Sequence, residues 1–212
     1  MSKEVNLQFV RPFGPIICKV TMPIEIVNSL NEYVDNIIAD KNKSKELDHG
    51  AKLAGNVQQE LKLDKDFIES SNWGNFLSSC VNLWLKKSLN KEITKFEIIS
   101  TWVVRQFQND YNPIHTHGGH ISGVGYLKVP KNLGEYTQKT KKNNHNGELT
   151  LIHGSKMFLS ESTFNIVPKV GEFYFFPNYL MHSVYPFSNS NEERRSVSFN
   201  ANIDENIYNI YT

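Results

Sequence analysis

The chain changes its hydrophobic period near residue 92, and this change limits the folds open to it more than any other feature. Before it, apolar residues recur at three- and four-residue spacing. Ile26, Val27, Leu30, Val34, Ile37 and Ile38 follow Pro23, which suits a first helical position. Residues 40–50, DKNKSKELDHG, form a polar break. A second helical stripe then runs from about Asp64 to Leu89 through Phe67, Trp73, Phe76, Leu77, Cys80, Val81, Trp84 and Leu85, with Ser70-Ser71-Asn72 as a candidate interruption. Beyond residue 92 the pattern becomes short strands with turn punctuation, near 95–107, 119–129, 147–153, 162–167, 171–176, 181–186 and 194–203. Seven short strands with no helix between them predict a sandwich or jelly roll. Residues 130–146, PKNLGEYTQKTKKNNHN, read as a long solvated loop. The expected class is mainly β with N-terminal helices (α+β).

At 212 residues the chain fits one domain, with a helical support region over 1–92 and a β core over 93–205. Lys plus Arg number 23 against 22 Asp plus Glu. A formal net charge of +1 argues against a protein that coats duplex nucleic acid, which needs a concentrated positive field, so no nucleic-acid partner is expected. No run approaches the roughly 18 apolar residues of a membrane span. The first residues, MSKEVNLQFVRPFGP, lack the apolar centre of a signal peptide. The expectation is a cytoplasmic protein with no membrane partner. Cys18 and Cys80 sit in apolar stretches and read as small buried hydrophobes, not as a disulfide framework.

Three of the seven histidines fall in six residues, His115-Thr116-His117-Gly118-Gly119-His120. Imidazoles two apart on an extended segment share a face, so His115 and His117 can converge on one metal. His182, in FPNYLMHSV, can complete the set from a facing strand, delivered there by the turn and buried strand of residues 168–177. Gly123 and Gly125 fall within a strand pattern, which suggests close approach of a ligand or another backbone. Arg194 is followed at period two by Ser196, Ser198 and Asn200, and an arginine on the face of a metal site makes a good fork for a carboxylate.

Taken in order, YNPIHTHGGHISGVGYLKVP, GELTL, VPKVGEFYFFPNYLMHSVYPF and RRSVSFN resemble the 2-oxoglutarate/Fe(II)-dependent oxygenase family, distant relatives of the prolyl 4-hydroxylases. The resemblance covers about residues 95–203, and the N-terminal helices match more loosely. It implies a double-stranded β-helix with the preceding helices packed on its major sheet. It also implies His115 as first iron ligand, His182 as distal ligand, and Arg194 as the partner of the 2-oxoglutarate C5 carboxylate. The frame Arg-x-Ser-x-Ser-Phe-Asn selects Arg194 over Arg195. Tyr126 resembles the tyrosine that reaches the same carboxylate, with Ser196 assisting. One departure matters: the family's usual ligand pattern is His-x-Asp or His-x-Glu and then His, and here the carboxylate position holds His117. Spacing ranks His117 first as the second ligand, with His120, Asp110 and Glu172 as alternatives. Three imidazoles can hold Fe(II), and the cluster then carries one more positive charge.

The resemblance implies a dioxygenase that uses Fe(II), 2-oxoglutarate and O₂, hydroxylating a C–H bond of a peptide or protein side chain or of a small molecule, with release of succinate and CO₂. Two other readings stand beside it. A cupin-type metalloenzyme not using 2-oxoglutarate shares HxH followed by PxG…P…H, but the glutamate usual after that pair is missing and Arg194 has no role there. A non-catalytic β-sandwich interaction module would carry the histidines incidentally. Lys131, Lys139, Lys141 and Lys142 read as a solvated face in preference to a dock for an acidic partner.

Overall fold

The computed structural model describes residues 7–10, 14–136 and 138–209; residues 1–6 and 11–13, most of the segment read for a leader, lie outside them. The two helical stripes form α1 (Ile24–Ala39) and α4 (Trp73–Leu89). Helix α1 buries Val27, Leu30, Val34 and Ile37, and α4 buries Trp73, Phe76, Leu77, Cys80, Val81, Trp84 and Leu85. The second stripe breaks where expected. A short α3 (Lys65–Ser70) precedes α4, and the Asp64 carboxylate caps it by accepting the Phe67 N–H at 2.8 Å.

The N-terminal region differs from its reading in two respects. The polar break contains α2 (Lys41–Glu46), whose first turn is capped by the Asp40 side chain; none of its residues is buried, so it leaves no apolar period. The region also supplies three strands, β1 (Leu7–Val10), β2 (Ile17–Thr21) and β3 (Gln59–Lys62). They are four or five residues long, too short for alternation to stand out. The remaining strands are β4 (Phe96–Gln106), β5 (Asn112–His115), β6 (Ile121–Lys128), β7 (Leu149–Ile152), β8 (Thr163–Ile166), β9 (Glu172–Pro177), β10 (Met181–Val184) and β11 (Arg194–Ile203), before a final α5 (Glu205–Tyr208).

These strands make a seven-stranded sheet of order β1-β2-β9-β6-β11-β4-β3 and a four-stranded sheet of order β5-β10-β7-β8, the two sheets of a double-stranded β-helix. Period-two alternation assigns each side chain to a layer. Along β9, Phe173 and Phe175 join the helix-side core, whereas Tyr174 and Phe176 join Leu149, Leu151 and Ile166 between the sheets. Along β11, Val197, Phe199 and Ala201 face the helices. Arg194, Ser196 and Ser198 line the cavity between the sheets.

Gly123 and Gly125 make room for aromatic rings of the helix-side core. At Gly123 the close approach of another backbone expected from the sequence is also present, since a Cβ there would stand 2.9 Å from the Tyr174 carbonyl oxygen, and Gly123 lines the cavity between the sheets. A Cβ on Gly125 would stand 2.2 Å from the Phe173 ring, and one on Gly123 would meet Phe173 and Phe199 at 2.6 and 2.7 Å. Cys18 and Cys80 are buried free thiols, and burial pushes each up to about 12. The described part of residues 130–146 holds no strand or helix; within it Lys139 pairs with Glu135 and Lys141 lies over the Tyr136 ring. Among the described residues no helix is long and apolar enough to cross a membrane.

Arg195 turns to the helix side, one step from Arg194. It is buried there against Glu193 and against Asp35 and Asn31 of α1, which ties β11 to that helix. Truncating Arg195 removes its charged hydrogen bonds and its packing, while Glu193 keeps Arg105 and the half-exposed Asp35 keeps Lys128. Arg195→Ala is therefore expected to lower the unfolding free energy by about 1.5–3 kcal/mol in a denaturant titration. A loss below about 1 kcal/mol, the range of surface pairs, would contradict this role.

Candidate metal centre and carboxylate pocket

Strands β5 and β10 pair antiparallel with His182 opposite His115. His115 Nδ1 lies 2.7 Å from the Pro113 carbonyl oxygen, and His182 Nδ1 lies 2.9 Å from that of Leu180. A carbonyl can only accept, so each Nδ1 carries the proton and each Nε2 keeps its lone pair for a metal. His117 lies just beyond the end of β5. Asn178 holds its backbone, accepting the His117 N–H at 3.1 Å and donating from Nδ2 to the His117 carbonyl at 3.3 Å. The His117 ring stands edge-on to Trp102, and its Nε2 is 3.1 Å from His182 Nε2.

One ring nitrogen from each of the three histidines lies within 4.8 Å of the others. Nitrogens bound at about 2.1 Å and at right angles to one another would be about 3.0 Å apart, so the 3.1 Å pair already has the separation of two adjacent metal ligands. Burial, reinforced by the neighbouring imidazoles, holds His117 down to about 3 and His182 down to about 4. Both are therefore neutral near pH 7, the form that binds a metal.

The alternative second ligands lie elsewhere. The turn at Gly118-Gly119, with Gly119 at φ +80°, directs His120 away from the cluster. The His120 N–H donates to Ala201, its Nδ1 accepts the Ile203 N–H, and its ring stacks on Tyr208 at 4.1 Å. Asp110 accepts the Gln58 and Phe107 N–H groups. Glu172 pairs with Lys19 and accepts from the Tyr174 hydroxyl. Among the described residues no carboxylate joins the three histidines.

Arg194 lies in the same cavity, 1% exposed. Its Nη1 donates to Gln106 Oε1, and the guanidinium carbon is 5.1 Å from the Tyr126 ring centre. Arg194 Nε, Arg194 Nη2 and the Tyr126 hydroxyl are buried and have no hydrogen-bond partner. Nε and Nη2 form the side-on edge of the guanidinium, the edge that takes a carboxylate through two parallel bonds. Burial pushes the guanidinium down and the phenol up from their ordinary values. Ser196, Ser198, Val104, Leu149 and Phe176 complete the walls.

The cavity thus joins His115, His117, His182, Arg194 and Ser196, with Tyr126 against the guanidinium. Trp102, Gln106 and Asn112 complete the arrangement and were missed from the sequence. The first two alternate along β4 opposite Ser198 and Arg194, so the signal was their period-two step on the strand beside the arginine.

The profile of the family described as "Putative 2OG-Fe(II) oxygenase" matches residues 100–200. No curated protein matches significantly. Among solved structures, the chain resembles a prolyl hydroxylase from Trichoplax adhaerens in complex with a hypoxia-inducible-factor peptide, at 14% identity, covering 92% of this chain and 87% of that one with a TM-score of 0.53. It resembles a viral collagen prolyl hydroxylase from Paramecium bursaria Chlorella virus-1 in complex with 2-oxoglutarate, at 15% identity, covering 82% and 90% with a TM-score of 0.52. The α-ketoglutarate-dependent epimerase SnoN of nogalamycin biosynthesis is similar at 15% identity, covering 85% and 76% with a TM-score of 0.53. At such identities these likenesses speak for the fold. The family match over residues 100–200 supports a 2-oxoglutarate/Fe(II) oxygenase, an oxidoreductase family whose cofactors are Fe(II) and 2-oxoglutarate.

The low values at His117 and His182 set the acid response of the metal-free protein. As pH falls below about 6.5, the unfolded chain protonates these imidazoles while the folded chain does not, so stability is lost down to the folded values. Between pH 6.5 and 4.5 the wild type should lose more unfolding free energy than His117→Gln or His182→Gln. Identical slopes for all three proteins would contradict the buried neutral imidazoles.

Proposed function

We propose that His115, His117 and His182 hold Fe(II) through their Nε2 atoms, and that the free edge of Arg194, with Tyr126 and Ser196, receives the C5 carboxylate of 2-oxoglutarate. The chain then hydroxylates an unactivated C–H bond of a peptide or protein side chain, or of a small molecule, with release of succinate and CO₂. The observation that carries this reading is the unpartnered Nε/Nη2 edge of a buried arginine in the cavity that holds the three histidines. A cupin-type metalloenzyme has no use for that edge, and an interaction module has none for the converging imidazoles.

Iron and 2-oxoglutarate, when bound, supply the oxidant from O₂ as 2-oxoglutarate is decarboxylated. The chain's own residues prepare for this. The carbonyls of Pro113 and Leu180 fix the tautomers of His115 and His182. Val104, Leu149 and Phe176 give the cavity apolar walls that exclude water. With His117 in the place of a carboxylate, the metal cluster keeps an additional positive charge, which favours a dianionic co-substrate. The likeness to prolyl hydroxylases, one of them holding a peptide, supports a polypeptide side chain as the first substrate class to test.

Anaerobic addition of Fe(II) and then 2-oxoglutarate should give a visible charge-transfer band, and O₂ should then yield succinate. Arg194→Ala should weaken 2-oxoglutarate binding by roughly 30-fold or more with iron binding retained, as expected for truncating a buried charge pair. His117→Ala should lose most of the iron, and His117→Asp should restore it. Absence of the band and of succinate across a panel of peptides and metabolites would overturn the reading.

A further inference from the structure

We propose that Gln106 is a positioning residue that presents the side-on edge of Arg194 to the co-substrate, and that Asn112 links this contact to the strand bearing His115. The inference rests on the reading that Arg194 receives the C5 carboxylate. An arginine fork sits at the end of several rotatable bonds, and β11 supplies no bond that fixes its plane. Gln106 does so from directly across the strand pair, where Arg194 and Gln106 are Cα partners. Its Oε1 accepts from Arg194 Nη1, which removes the end-on mode of carboxylate pairing and leaves Nε and Nη2 open.

The orientation of the Gln106 amide follows from its two neighbours. With Oε1 on the guanidinium, its NH₂ group points the other way, and Nε2 donates to Asn112 Oδ1 at 2.8 Å. A flipped amide would set NH₂ against a cation and carbonyl against carbonyl. Gln106 is 1% exposed, so the contact is dry. Asn112 begins β5 and lines the cavity, and His115 ends the same strand. A connected series Arg194–Gln106–Asn112 therefore runs from the carboxylate end of the cavity to the metal strand. A neutral amide suits this place: it holds Nη1 without neutralising the cation that the carboxylate needs, as a glutamate would.

The test compares Gln106→Leu, Asn112→Ala and Arg194→Ala with wild type, using Fe(II) stoichiometry, anaerobic 2-oxoglutarate titration and titration with 2-oxovalerate, which lacks the C5 carboxylate. Losing one hydrogen bond to a charged group should make Gln106→Leu bind 2-oxoglutarate roughly tenfold more weakly. The preference for 2-oxoglutarate over 2-oxovalerate should shrink by the same factor, with iron per chain unchanged. Asn112→Ala should move both quantities the same way by a smaller factor. If Gln106→Leu folds poorly, Gln106→Met, closer in shape, carries the same comparison. Retention of affinity and preference in the Gln106 variant while Arg194→Ala loses both would overturn this inference and leave the Arg194 reading standing. Equal loss of iron, 2-oxoglutarate and 2-oxovalerate would make Gln106 merely structural and would also overturn it. Unchanged binding in Arg194→Ala would overturn the underlying reading itself.

Discussion

The antiparallel pairing of His182 opposite His115 is the contact on which the rest of the site depends. Directly opposed residues of an antiparallel pair hold their Cβ atoms about 4.5–5.5 Å apart, so two imidazoles on this pair share one small volume without any loop having to place them. Each ring bonds a carbonyl two residues earlier in its own segment, Pro113 for one and Leu180 for the other, so the same local device fixes both tautomers. His117 joins from outside the ladder. Its place comes from the Asn178 contacts, which tie the segment after β5 to the turn before β10. That turn also brings in Tyr208, whose hydroxyl donates to Asn178 Oδ1 at 3.0 Å.

The second constraint is the alternation of β11, which separates two adjacent buried arginines into opposite chemistries. Arg195 meets Glu193 and Asp35, so its charge is paired inside the fold. Arg194 meets an amide and an aromatic ring and no carboxylate. A buried cation without an anionic partner is costly unless a ligand supplies one. Three imidazoles stand beside that cation, and among the described residues no carboxylate lines the cavity. A doubly negative co-substrate is the natural complement, which gives the proposed function an electrostatic basis specific to this chain.

Much of this was legible in the sequence. Seven of the eight strands beyond residue 92 and the two apolar helices carried period-two and helical signals; β5, four residues long with none of them buried, carried none and was not read from the sequence, although it bears His115. The strands β1, β2 and β3 carried none either, since they are short and two of them lie at sheet edges. Helix α2 was hidden because it buries nothing. The histidine spacing selected the triad, yet spacing alone left His120 open as a ligand. The Gly118-Gly119 turn decides against it, through a positive φ at Gly119 where a side chain would meet Ile99 and the Ala201 carbonyl. Gln106 and Asn112 carried no signal as isolated polar residues. Their role exists only once β4 lies beside β11 and β5 closes the cavity.

Three imidazoles, with no carboxylate beside them among the described residues, are proposed to form the metal site. The most direct measurement is an anaerobic crystal structure of the protein loaded with Fe(II) and 2-oxoglutarate. The expected result is metal density joined to Nε2 of His115, His117 and His182, with the distal carboxylate of 2-oxoglutarate on Nε and Nη2 of Arg194. Iron bound through His120, Asp110 or Glu172 in place of His117, or a carboxylate seated away from Arg194, would contradict it.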